Sequence, residues 1–568
     1  MQQKSEQKQQ SFLYATLVLG VSTILVKIMG AIFRIPLSNL IGATGMGYFS
    51  TAYDVYLPIY SLAMAGLPVA VSRIVAQYVA EKRYNDARKA LKVVKRVFLI
   101  TGLVGFALMF AFAFIVTALA NNPNALPAMF VIAPSILFCC VMSSYRGYYE
   151  GLRNMFPTAI SSLIEAICKL GLGYSFAYIA MITIKDTPEK IASYAAAAAM
   201  LGITIGTALG SLFLVIRHKT KGDGFEAAQL ENSPPPETGK NILIALVSIA
   251  VPVALGSLVN NVASLVDVAM VQRQLGHAVQ KSPDTFWNLY GKYFIDDNGN
   301  TLNNSGIPNF LYGCYKGYAY TIFNFIPTIT AVVGVSALPV LTMAWTSGEK
   351  PAIKSNIESM LKVITLIAYP AGIGVMALAP QIVSLLYKSS DSVIAGRLLV
   401  ILGLAACFAG MTTPLTNMLQ AIGKPGIPVK NIAVGAVIKI VVNFCLVGVP
   451  EINILGAPIG TVCCYLYIAV ADIYCLIKYS GVKPNLVSTL LKPFIAAATC
   501  GITAFVVNYV VSRFVHGSKI STLVAILAAV VVYIIAVSML KCIDEEDINT
   551  LPNGKKIVKF LKKVYIIR

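Results

Sequence analysis

Five cations and three acids stand inside stretches that are otherwise almost wholly apolar. The cations are Lys27, Arg34, Arg73, Lys169 and Lys439, and the acids are Asp54, Glu165 and Asp267. A charge at the centre of a membrane-crossing helix costs at least about 2.5–3.5 kcal/mol, so such a residue faces a partner or a cavity. Lys27 and Arg34 are seven residues apart and share one helix face. Asp54, in Tyr53-Asp54-Val55-Tyr56, is close enough in the chain to pair with Arg34. Glu165 and Lys169 stand at i and i+4 with the acid first, the favourable order for a helical pair. Four of the five cations fall in the first six-helix half. Two readings stay open for each residue: Arg34 and Arg73 can snorkel to headgroups, and Asp54 and the Glu165–Lys169 couple can be structural ion pairs. Asp267 is a candidate for a coupling cation. Asp472 falls near the end of its span and reads as interfacial.

Other chemistries find no support. No Gly-x-x-x-x-Gly-Lys-Ser/Thr loop is present, and no nucleophile–base set or metal-ligand spacing appears among eleven cysteines and three histidines. The expected chain is not an enzyme, carries no cofactor and no metal, and holds structural thiols among helices. Asp297-Asn298-Gly299-Asn300 lacks the later bidentate Glu of a calcium loop.

The elements that position these charges follow from composition. Apolar residues make up 57% of 568 and charged residues only 12%, too few to cover a soluble protein of this size. Bilayer crossings need about 20 apolar residues each, and continuous apolar runs exclude a barrel. The expected fold is an all-α polytopic membrane protein with about fourteen helices, at 12–35, 47–75, 92–119, 126–149, 157–182, 191–217, 241–271, 316–345, 357–385, 392–420, 428–448, 455–478, 489–512 and 519–540. With the N-terminus inside, the cytoplasmic loops and termini collect three times as many Lys and Arg as the outer loops. The net charge of +20 then reflects topology and gives no reason to invoke nucleic acid. The basic tail after the last span reads first as a topology signal, with contact to anionic headgroups as the alternative.

The chain reads as two six-helix halves and an extra pair. Leu201-Gly202-x-x-Ile205-Gly206-Thr207 recurs as Leu455-Gly456-x-x-Ile459-Gly460-Thr461. Lys169 and Lys439 precede the two copies at similar places. Six is even, so the repeat is parallel. The expected organisation is 1–217 as the first lobe, 218–240 as a flexible cytoplasmic linker with Ser233-Pro234-Pro235-Pro236, 241–480 as the second lobe with an outer insertion at about 275–315, and 481–568 as two further helices and a basic tail.

Several blocks resemble one superfamily. They are Lys27-Ile28-Met29-Gly30 with Arg34 and Ile41-Gly42-Ala43-Thr44-Gly45; Gly66-Leu67-Pro68-Val69-Ala70-Val71-Ser72-Arg73; Arg146-Gly147-Tyr148-Tyr149-Glu150-Gly151-Leu152-Arg153-Asn154-Met155; and Glu165-x-x-x-Lys169. The sequence resembles the multidrug/oligosaccharidyl-lipid/polysaccharide exporters, in the branch of stage V sporulation protein B and MurJ-type flippases of Gram-positive bacteria. The resemblance covers nearly the whole chain. It implies a flippase for lipid II, an undecaprenyl-diphosphate-linked cell-wall precursor, working by alternating access as a monomer in the bacterial plasma membrane, with both termini cytoplasmic. It implies a central cationic cavity in which Lys27 and Arg34 hold the diphosphate, and a tail groove at the last two helices; Asp54, Arg73, Glu165 and Lys169, singled out above as buried charges, are the further candidates for substrate binding. Lys27 stands where Gram-negative flippases have an Arg, and lacks the bidentate fork. The alternatives are a flippase for another undecaprenyl-linked unit, teichoic or capsular; a multidrug/cation antiporter; and a membrane scaffold of wall-synthesis or sporulation complexes.

Overall fold

A computed structural model describes residues 2–64, 66–295, 301–387, 391–514 and 518–542. Among them the secondary structure is helical, apart from an isolated bridge between Ile295 and Thr301. The helices are α1 (Gln2–Met64), α2 (Gly66–Ala80), α3 (Tyr84–Leu119), α4 (Leu126–Gly151), α5 (Phe156–Thr183), α6 (Pro188–Lys221), α7 (Ala227–Glu231), α8 (Gly239–Lys281), α9 (Pro283–Tyr290), α10 (Ile307–Tyr312), α11 (Tyr320–Phe323), α12 (Phe325–Ser347), α13 (Lys350–Ala377), α14 (Ala379–Leu386), α15 (Ser392–Ala421), α16 (Gly426–Val447), α17 (Gly456–Ser480), α18 (Lys492–Phe514) and α19 (Ser518–Met539).

Twelve helical stretches among the described residues are long and apolar enough to cross a membrane. Ile28–Ala80, 53 residues long, takes in the second expected crossing and the end of the first. Gly42 divides α1 there, at φ 65° and ψ −177°, a backbone region that glycine alone occupies readily. Gly239–Val251 is a shorter apolar helix where the seventh crossing is expected. Fourteen crossings are compatible with these helices. Large apolar side chains such as Ile502, Phe505, Leu527 and Met343 project outward, as a hydrocarbon solvent allows. This is a multi-pass membrane protein.

The chain divides into two compact units. The first is Met1–Arg273 with Pro308–Gly313, and the second is Gln274–Ile307 with Cys314–Arg568. The division falls within α8 rather than at the linker. In the first unit, α5 lies along α6, α4 packs on α3 and α6, and α1 packs on α4, α5 and α6. A Cβ on Gly206 of α6 would stand 2.9 Å from the Glu165 carbonyl oxygen of α5, and one on Gly210 would stand 3.1 Å from that of Ser161. In the second unit, α15 is enclosed by α12, α13 and α17, while α16 lies along α17. The repeated motif performs the same task there. A Cβ on Gly460 would meet the Asn443 side chain and stand 3.2 Å from the Lys439 carbonyl oxygen. Small residues let helix backbones approach where lipid provides no hydrophobic drive. The last pair, α18 and α19, packs together, and α18 lies on α13. Tyr533 of α19 donates to the Leu366 carbonyl at 2.7 Å.

The linker differs from the flexible segment expected of its prolines. Arg88 holds Asp223 through Nε and Nη2 at 2.6 and 2.8 Å. Arg83 pairs with Glu237 at 2.7 Å, and Lys89 donates to the Glu237 carbonyl. Asp86, fully buried, receives Arg83 Nε at 3.0 Å and the Glu237 N–H at 2.6 Å. Asn85 binds Ser233 and Leu230. Ion pairs to the start of α3 therefore hold the segment that proline only stiffens.

Candidate functional site

One face of α1 carries an aromatic ladder at helical spacing. Phe49 and Tyr53 stack with centroids 6.1 Å apart, Tyr56 follows at 6.0 Å, and Tyr60 at 5.2 Å beyond it. Phe33, buried, lies 6.2 Å from Phe49. Positions 49, 53, 56 and 60 recur every three or four residues, so they form one stripe.

Two cations converge on this stripe from different helices. The Arg34 guanidinium is 5.2 Å from the Tyr53 centroid. The Lys169 ammonium, from α5, is 5.5 Å from Tyr53 and 5.5 Å from Phe33. Among the described residues neither cation pairs with a carboxylate. A ring face attracts a cation by about 0.5–2 kcal/mol without neutralising it, so the positive charge stays available.

Glu165 turns to another partner than the i+4 lysine expected from the sequence. It receives Arg146 of α4 at 3.4 Å, and Arg146 also donates to Ser161 at 2.9 Å. Tyr60 lies within electrostatic reach of both Glu165 and Arg146. The couple therefore flanks the far end of the ladder and leaves Lys169 without a carboxylate partner among the described residues. Asp54 is buried, and Tyr312 donates to its Oδ2 at 2.6 Å. Arg34 stands over Tyr53, the residue beside it. Among the described residues, three cations, Arg34, Lys169 and Arg146, and one acid, Glu165, flank this stripe.

The arrangement presents positive charge beside aromatic faces. An arginine fork and an ammonium suit phosphate oxygens, and flanking rings suit sugar or isoprenoid surfaces. No cluster of three or more His, Cys, Asp or Glu among the described residues could hold a metal ion.

A profile for polysaccharide biosynthesis proteins matches residues 12–345. The chain belongs to the polysaccharide biosynthesis protein family. A second profile, that of the lipid II flippase MurJ, matches residues 315–543. The lipid II flippase MurJ of Bacillus subtilis (strain 168) is 23% identical over 536 residues, covering 91% of this chain and 93% of the relative. Stage V sporulation protein B of the same organism is 22% identical over 558 residues, covering 97% and 99%. Among solved structures, lipid II flippase MurJ in an inward closed conformation superposes with a TM-score of 0.64 at 15% identity, covering 92% of this chain and 98% of that one. An inward-facing multidrug resistance MATE family transporter of the MOP superfamily gives 0.58 at 16% identity, covering 82% and 98%. The fold is that of MOP-superfamily transporters.

For this member of the polysaccharide biosynthesis family, the residues chosen from sequence divide as follows. Arg34 and Lys169 meet at one ring. Glu165 and Asp54 lie in the same unit, each with a partner from another segment. Arg73 is exposed on α2. Asp267 is 1% exposed on α8. The Lys27 side chain lies outside the described residues, as do Asp296–Asn300 and the basic tail. Three contributors escaped sequence reasoning as site residues: Arg146, Tyr53 and Phe33. Spacing of the aromatics along α1 was the available signal for Tyr53. Nothing local in the sequence tells that Arg146 reaches Glu165 across a turn of chain.

Proposed function

We propose that this protein is a flippase for lipid II, the undecaprenyl-diphosphate-linked peptidoglycan precursor, working by alternating access in the bacterial plasma membrane with both termini cytoplasmic. The observation that carries this reading is the pair of cations, Arg34 and Lys169, over the Tyr53 ring, without carboxylate partners among the described residues. A diphosphate offers the negative charge that such a pair lacks. A cationic drug would instead be repelled, which argues against multidrug antiport. The similarity to the lipid II flippase MurJ of Bacillus subtilis points the same way. Family membership and the absence of a nucleophile–base set in the sequence favour transport over catalysis.

The full-length protein in proteoliposomes containing fluorescent lipid II tests the reading. Arg34→Ala with Lys169→Ala should slow exposure of the headgroup to an external quencher at least tenfold while leaving thermal unfolding unchanged. Wild-type rates in that double variant would overturn the diphosphate role. The match to the polysaccharide biosynthesis protein profile favours a second reading within the same class, another undecaprenyl-linked glycan. Depletion in the host separates the two: lipid II accumulating on the cytoplasmic leaflet supports the first, and normal lipid II flux with loss of another surface polymer supports the second.

A further inference from the structure

Asp472 of α17, expected near the interfacial end of its span, is enclosed by neighbouring helices. Ala469, Asp472 and Leu476 share one helix face. Ala469 and Leu476 belong to an apolar cluster with Leu415, Met418 and Leu419 of α15, and Asp472 between them is 0% exposed. Asn431 of α16 donates to its Oδ1 at 2.7 Å. Its Oδ2 is buried with no hydrogen-bond partner, and among the described residues no cation pairs with either oxygen.

Nearby charges are engaged elsewhere or turned outward. On α16, Lys430 is exposed beside Asn431, and Lys439 lies farther along the helix. On α15 the charged residue is Arg397, near the opposite end. On α17, Cys475 shares the Asn431 amide at 4.0 Å, while Lys478 and, from the turn before α16, Lys424 lie over the Tyr479 ring.

An ionised carboxylate presents about four acceptor sites. Asp86 shows how this chain buries one that is satisfied, with an arginine and a backbone N–H. Asp472 has a single amide. Burying an unpaired charge is expensive enough that the group takes up a proton instead. We propose that Asp472 is a proton-binding site: Oδ1 accepts from Asn431, Oδ2 carries the proton, and ionisation requires the second unit to bring water or a donor to Oδ2. Uptake and release at this carboxyl then couples a proton gradient to the conformational cycle. The coupling rests on the transport reading above; the protonation does not.

The test uses the full-length protein. Infrared difference spectra between wild type and Asp472→Asn, recorded from pH 8 down to pH 5, should show in the wild type a carboxylic-acid carbonyl band that grows on acidification and shifts in D2O. Asp472→Glu should retain the band, which guards against a fold lost in the amide variant. In proteoliposomes, a pH gradient should accelerate lipid transport severalfold for wild type and not for Asp472→Asn. A wild-type spectrum without the band, with Asp472→Glu equally silent, overturns the site. A band accompanied by an undiminished gradient response in Asp472→Asn overturns the coupling. If no variant moves lipid at all, the transport reading fails while the infrared arm still decides the protonation.

Discussion

Tyr53 lies between an Arg34 guanidinium from its own helix and a Lys169 ammonium from α5. A ring holds each cation in place and leaves its charge uncancelled, which a carboxylate would not. Glu165 could have cancelled Lys169 but is engaged by Arg146. Arg146→Ala should therefore release Glu165 toward Lys169 and lower affinity for an anionic lipid, an effect expected to be reversed by the double variant Arg146→Ala with Glu165→Gln. Binding of the diphosphate lipid measured for both variants checks this. Asp54 belongs to the same scale. Tyr312→Phe removes its donor at 2.6 Å, and hydrogen bonds to charged groups contribute about 1.5–3 kcal/mol. Thermal unfolding in detergent should fall for Tyr312→Phe, and less for Tyr312→Phe combined with Asp54→Asn.

The elements are held by close backbone approach. Gly206 and Gly460 occupy the same place in the repeated motif, and each faces the helix that bears the preceding lysine. Gly206→Val would drive a branched side chain against the Glu165 carbonyl, where overpacking costs about 1–3 kcal/mol. It should also shift Lys169 away from Tyr53, so stability and transport should fall together. Gly42 presents a different constraint. A Cβ there meets nothing within 4 Å, yet its positive φ makes any other residue strained by about 1–3 kcal/mol. Gly42→Ala should lower the unfolding temperature although space is ample.

At the scale of the molecule, the linker is a tied strap on the first unit. Asp223 anchors it. Burial raises its carboxyl, but hydrogen bonds from Arg88 and from the Phe225 N–H outweigh burial and hold it below the ordinary aspartate value. Stability from this anchor is therefore present above the ordinary value of 3.8 and lost as pH falls through the lowered one. An Arg–carboxylate pair this exposed contributes about 1 kcal/mol or less. Protease cleavage between Gly222 and Glu237 should rise on acidification, and Arg88→Ala should bring the same cleavage at neutral pH; unchanged cleavage in Arg88→Ala would show that the Asn85 and Arg83 contacts suffice.

The sequence by itself determined the helical, membrane-crossing class, the basic first half and the paired motif, because lipid forces apolar length and continuous helix onto any crossing segment. Charge and spacing also singled out Arg34, Lys169, Glu165 and Asp54. Their partners were not legible, since Arg146, Tyr312 and the Tyr53 ring meet them only through helix packing across many residues. For the same reason Asp472 reads as interfacial in the sequence, where its distance from the helix end is visible and its neighbours are not. Only the tertiary structure decided which charges are neutralised and which remain open, because that depends on what faces each side chain across a helix contact.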